Sequence, residues 1–134
     1  MSGHDRASFM LSRAEDDFAD LQRMLGAGGF TEANFGFRAQ QAVEKALKAW
    51  LIALDVAPPR THDLGALMRL IQTENHEIDP HRDLVDLNPF AVEFRYDPMP
   101  ADLEPLNRAT LVQDVEGLVA HVRSIIDAAS GEPD

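Results

Sequence analysis

Phe37-Arg38-Ala39-Gln40-Gln41-Ala42-Val43-Glu44-Lys45-Ala46-Leu47-Lys48-Ala49-Trp50-Leu51 has the period of an amphipathic α-helix. Val43, Leu47, Trp50, Leu51 and Leu54 recur at helical steps and form one apolar face. Gln41, Lys45 and Lys48 follow the same three- and four-residue steps on another, polar face. The helix is expected from about Thr31, an N-cap residue type, to Leu54.

On the N-terminal side, a first helix is expected from Ala7 to about Leu25. Its apolar face is Phe9, Leu11, Ala14, Phe18, Leu21 and Leu25, with Glu15, Asp16, Asp17 and Asp20 mostly toward solvent. Gly26, Gly28 and Gly29 end it, because glycine accepts the left-handed backbone at a helix C-terminus. On the C-terminal side, Pro58-Pro59 disfavours helix. Thr61 or Asp63 caps a third helix through Leu64, Leu67, Met68, Leu70 and Ile71. Asp79-Pro80 reads as a cap followed by a first-turn proline, and Asn88-Pro89 repeats that signal before Phe90-Ala91-Val92-Glu93-Phe94. Asp97 to Pro100 forms a turn or loop. The last long helix covers about Leu106 to Ala128, burying Leu111, Val115, Leu118, Val122 and Ile125. Residues 130–134 fray.

No segment alternates like a half-buried strand, and the chain carries no GxGxxG, no P-loop pattern and no internal repeat. The fold class is therefore all-α: an up-and-down bundle with three long helices and shorter ones between the second and the last. The 134 residues make one domain, with a core at about 7–128 and a C-terminal tail at 129–134. With 45% hydrophobic residues there is enough apolar material for a sizeable core.

There is no Cys, which excludes disulfides, thiolate metal sites and a Cys nucleophile. The N-terminal residues lack a signal-peptide apolar segment and no run has membrane-crossing length, so a cytoplasmic location is expected. Twenty-three acidic against twelve basic residues give a formal charge of −11. That balance argues against nonspecific nucleic-acid binding, which draws on Lys and Arg, and fits a basic protein partner.

Three segments carry a family resemblance. Gln40-Gln41-Ala42-Val43-Glu44-Lys45-Ala46-Leu47-Lys48-Ala49 resembles the signature of HEPN domains, the higher-eukaryote and prokaryote nucleotide-binding family. Thr61-His62-Asp63-Leu64 opens the third helix after a proline-containing loop, as in that family. Arg95-Tyr96-Asp97-Pro98 resembles its Arg-Tyr-Pro segment with one residue inserted. The resemblance covers about residues 7–128 and implies a four- or five-helix bundle, commonly a homodimer. It also implies a minimal nucleotidyltransferase as protein partner, a nucleotide or phosphate as ligand, and a place in a toxin–antitoxin-type system. The small prokaryotic single-domain type fits best.

RNA-cutting members of that family use an Arg, then four to six intervening residues, then a His. The imidazole moves a proton near neutral pH and the guanidinium steadies phosphoryl charge. Here the equivalent is Arg95, and its window reaches Pro100, Ala101 and Asp102, none of them His. A binding protein is therefore preferred over the alternative, a metal-independent RNase toxin built on Arg95. Arg69 and His76 satisfy the spacing, away from the expected place, as chance allows.

The candidate nucleotide or phosphate site is Gln41, Lys45, Lys48, His62, Arg95 and Tyr96. Without a ligand, the same residues would serve as a solvated face with Glu44 and Lys48 paired four apart. Asp63 would then cap the third helix, and Arg95 would pair with Glu44 across the bundle. Trp50 reads as core. No cofactor is expected. No metal is expected either, because His4, His62, His76, His81 and His121 form no i, i+4 ligand pair, and His76 and His81 read as solvated loop residues.

Overall fold

Each α-helix begins where a short polar side chain replaces the missing carbonyl partners of the first turn. The computed structural model describes residues 2–92 and 98–130. Helix α1 runs Gly3–Ala27 and starts earlier than the apolar pattern predicts. Ser2 Oγ accepts from the Asp5 amide at 3.0 Å and Asp5 accepts from the Ser2 amide, a reciprocal capping box. The helix passes through Gly26 and stops at Gly28, whose φ of 71° suits glycine. Thr31 caps α2, Glu32–Ala53, by accepting from the Asn34 amide at 3.1 Å.

Asp63, not Thr61, caps α3, Leu64–Thr73, accepting from the amides of Gly65 and Ala66. A 3-10 helix follows over Asp79–Phe90, and α4 spans Arg108–Ser130 with the Asn107 side chain accepting from the Thr110 amide. Asn88-Pro89 does not begin a new helix. It lies inside the 3-10 segment, where Asn88 Oδ1 accepts from the Leu64 amide at 2.9 Å and Asn88 Nδ2 donates to Asp63. Ala91 and Val92 have no regular structure, and the rest of the expected Phe90–Phe94 helix lies outside the described residues.

Among the described residues there is no strand, and the all-α bundle is established. Every other element packs on α2, while α1 and α3 do not touch. Burial therefore extends around much of α2: Phe35, Ala39, Val43, Leu47, Trp50 and Leu51 are all fully buried. On α1 the buried positions are Ala7, Leu11, Ala14, Asp17 and Leu21, whereas Phe9 and Leu25 are exposed. Asp17 is thus inside rather than in solvent, because it falls on the three- and four-residue steps between Ala14 and Leu21. On α4, Val115, Leu118 and Val122 are buried as expected. Val112, Val119 and Ile126 complete that face, with Leu111 and Ile125 only partly covered.

The centre of the core is polar in one place. The fully buried Trp50 donates its indole N–H to His76 Nδ1 at 3.3 Å. Edge-on rings of His76, His81 and His121 surround it. His81 Nε2 lies 2.9 Å from His121 Nδ1, tying the 3-10 segment to α4. His76 and His81 are therefore not solvated loop residues; His81 is buried. Burial, and then the neighbouring His121, push the His81 pKa below the usual 6.5, against an opposing pull from Asp114.

Two outcomes follow from this packing. A Cβ on Gly36 would sit 2.2 Å from Phe90 Cδ1, whereas a Cβ on Gly117 in α4 would meet nothing within 4 Å. Gly117→Ala should stabilise by about 1 kcal/mol through helix propensity. Gly36→Ala should destabilise by about 1–2 kcal/mol in urea titrations, since overpacking outweighs that same gain. The second outcome concerns pH. The fold favours neutral His81, so its contribution is present above pH 6.5 and lost as pH falls through the lower folded value. Unfolding followed by Trp50 fluorescence should show stability declining as pH falls below 6.5. His81→Gln should remove most of that slope.

Candidate functional site

The polar stripe of α2 begins with two side chains that a helix would normally send to water. Gln40 and Glu44 are both buried, because the chain after Pro59 and α3 close over that side of α2. Each must then find partners within the protein. Glu44 Oε1 accepts from Gln40 Nε2 at 3.0 Å and faces His62 Nδ1 at 2.8 Å. Glu44 Oε2 accepts from Lys48 Nζ at 3.0 Å. Gln40 Nε2 also reaches the His62 carbonyl at 3.3 Å, and Gln41 Nε2 donates to Gln40 Oε1 at 2.8 Å. Burial alone would raise the Glu44 pKa. The hydrogen bonds from Gln40, His62 and Lys48, with the Lys48 charge, outweigh it and hold the carboxyl below its usual 4.5. Glu44 is an ionised, saturated acceptor at neutral pH.

A second network flanks the same stripe. Asp17 of α1 accepts from Lys45 Nζ at 2.5 Å and from Arg38 at 2.8 Å. Gln41, Lys45 and Lys48 thus share one arc of α2, with Asp17 on one side and the Glu44–His62 pair on the other. Three cations, Arg38, Lys45 and Lys48, stand against two carboxylates, Asp17 and Glu44. The local sum is one positive charge, or two when His62 is protonated, within a chain of formal charge −11.

Of the residues expected at the site, Lys48 and His62 meet on one carboxylate. Gln41 joins them through Gln40, and Lys45 is held apart by Asp17. Arg95 and Tyr96 lie outside the described residues, as does the expected Arg95–Glu44 pair. Asp63 is committed to its cap rather than to His62. Arg69 and His76 point to different partners, Asp63 and Trp50 respectively. The sequence reading missed Asp17, Gln40 and Arg38. Asp17 was detectable as the one acidic residue in register with the buried positions of α1.

The chemistry available here is limited and specific. With a carboxylate on Nδ1, that ring nitrogen carries the proton and Nε2 keeps its lone pair. The His62 side chain is 69% exposed, and among the described residues nothing bonds to Nε2. The arrangement is an oriented imidazole beside two lysines, suited to holding an oxyanion or passing a proton. Among the described residues no group of three or more His, Cys, Asp or Glu is placed to hold a metal ion.

These features define an all-helical bundle with a cationic and imidazole-bearing stripe on its central helix. Residues 7–131 match the family model described as the HEPN domain, and the chain belongs to the HEPN domain family. That family is of nucleotide-binding or RNase type, and it commonly forms dimers. Comparisons with curated proteins and with solved structures return no match. No helix among the described residues is long and apolar enough to cross a membrane.

Glu44→Ala would leave Gln40, Lys48 and the His62 ring without their shared acceptor. The expected loss is about 2–4 kcal/mol in urea unfolding, since a half-broken buried charge network is costly. His62→Ala, at an exposed ring, should cost well under half of that.

Proposed function

We propose that this protein is a HEPN-type binding module that dimerises and pairs with a minimal nucleotidyltransferase in a toxin–antitoxin-type system. The α2 stripe takes a nucleotide or phosphate group. Gln41, Lys45, Lys48 and His62 contribute from the described part of the chain, and Arg95 and Tyr96 from the segment after the 3-10 helix. One observation carries the reading: a locally positive, imidazole-bearing patch is built into a strongly acidic chain. Such a patch runs against the overall field, and an anionic ligand gives it a use. Because Lys45 and Lys48 already have carboxylate partners, the ligand shares these cations rather than finding them bare. Modest affinity is the consequence.

A second reading, a metal-independent RNase, draws on the Glu44–His62 geometry. A carboxylate-oriented imidazole with an open Nε2 supplies the proton-transfer group that the Arg95 window lacks in sequence. Overexpression toxicity with RNA breakdown, lost in both Arg95→Ala and His62→Ala, would favour it over the binding reading.

A thermal-shift series with orthophosphate, ADP and ATP tests the first reading. A ligand that prefers the folded state stabilises it by about 2.7 kcal/mol at a hundred times Kd. Lys48→Ala and His62→Ala should abolish the nucleotide-dependent rise in Tm. No rise at saturating nucleotide, together with no nucleotidyltransferase recovered alongside the tagged protein from its native host, would end the proposal.

A further inference from the structure

A large groove lies between the 3-10 segment and the start of α4. Its volume is about 580 Å³, within the range of sites that take a ligand or a few anchoring side chains. Leucines and an aromatic ring form its floor: Leu84, Leu87 and Phe90 from the 3-10 segment, with Leu103, Leu106 and Leu111 beside them. Asp83, Asp86, Asp102, Glu104 and Asp114 form its rim, and no Lys, Arg or His is among its described lining residues.

The rim carboxylates differ from most others in the chain. Glu15 pairs with Arg123, Glu32 with Arg108, Asp79 with Arg82, and Asp17 with Arg38 and Lys45. The five rim carboxylates make no hydrogen bond or ion pair among the described residues, and all are exposed. Among the described residues Arg108 is already taken: it gives two hydrogen bonds to one oxygen of Glu32 and lies 4.9 Å over the Phe35 ring. Five like charges around one apolar hollow repel each other with nothing within the described fold to offset them.

We propose that this groove docks a basic amphipathic segment of a partner protein, apolar side chains entering between the leucines and Lys or Arg side chains meeting the acidic rim. Charge complementarity names the occupant. An anionic or purely apolar partner would leave the rim unpaired, and a nucleic acid would be repelled. The mode is helix-in-groove recognition, with apolar anchors for affinity and rim charges for steering and selection. The inference takes from the preceding section only that a protein partner exists, and it does not depend on the α2 stripe.

The test uses the full chain and three labelled helical peptides read by fluorescence anisotropy. One has a Leu face and Lys flanks, one the same Leu face with Glu flanks, and one Lys flanks with Ser replacing Leu. Only the first should bind well, more weakly as salt rises. Two charge-matched variants separate the groove from the overall field. The groove set is Asp83→Asn, Asp86→Asn, Asp102→Asn and Glu104→Gln. The control set is Asp16→Asn, Asp55→Asn, Glu74→Gln and Glu116→Gln, all exposed and outside the groove. Asp114 is kept because it acts on His81.

The groove set should weaken binding by about tenfold or more and the control set by less than about twofold. Thr110→Trp, on the exposed wall of the groove, should block binding with the charge unchanged. Circular dichroism on each variant confirms folding, which none of these surface changes should disturb. Equal weakening by both sets, equal binding of the Ser peptide, or no binding to the wild type would overturn the proposal. Nucleotide-induced thermal shift of the wild type keeps the two readings apart. No binding of the Leu-faced, Lys-flanked peptide with the shift present sinks the groove alone, and peptide binding with no shift sinks the stripe alone.

Discussion

The structure depends on the burial of α2 by all four other elements. A helix covered on several sides keeps only one partly exposed arc, here Gln41, Lys45 and Lys48. A polar side chain off that arc must be satisfied by a neighbour or remain unpaired at a cost of about 1–3 kcal/mol or more. Gln40 and Glu44 sit under that constraint. Their solution recruits His62 from the loop after Pro59 and draws Lys48 back along its own helix. Asp17 applies the same rule from α1, gathering Arg38 and Lys45. The polar residues that set the candidate site are thus also what fixes α1 and the α3 entry against the central helix.

That double duty shapes the function. A stripe whose lysines are already matched to carboxylates holds its side chains in place before any ligand arrives, so little ordering is required on binding. The matching also lowers the field an anion experiences. What remains is a small positive excess and one exposed imidazole, a suitable setting for a nucleotide or phosphate held by shape and several shared contacts. The groove between the 3-10 segment and α4 has the opposite character: unmatched acid around an apolar floor. Under the two proposals, one small chain would take ligands of opposite sign on two surfaces, a charged small molecule on one and a basic partner on the other.

Periodicity placed α1, α2, α3 and α4 to within a few residues because apolar spacing and cap residues act locally. Local reading failed where a distant partner decided the outcome. Asn88-Pro89 carries a helix-start signal, yet Asn88 spends its side chain on Leu64 and Asp63, some two dozen positions earlier. His76 and His81 are flanked by polar residues and read as solvated, yet Trp50 draws one and His121 the other into the core. Phe9 and Leu25 fit the apolar stripe of α1, yet α4 and α2 do not extend far enough around it to cover them.

The all-helical class, the central amphipathic helix, the strongly acidic balance and the HEPN-type motif segments were determined by the sequence alone, since each rests on composition or on spacing within one element. Which carboxylate each lysine meets, that Asp17 faces inward, that Glu44 rather than Asp63 orients His62, and that unpaired acids ring one groove were decided only by the tertiary structure. Those outcomes depend on which surfaces come within about 3 Å of each other, the range of a hydrogen bond, after the helices pack.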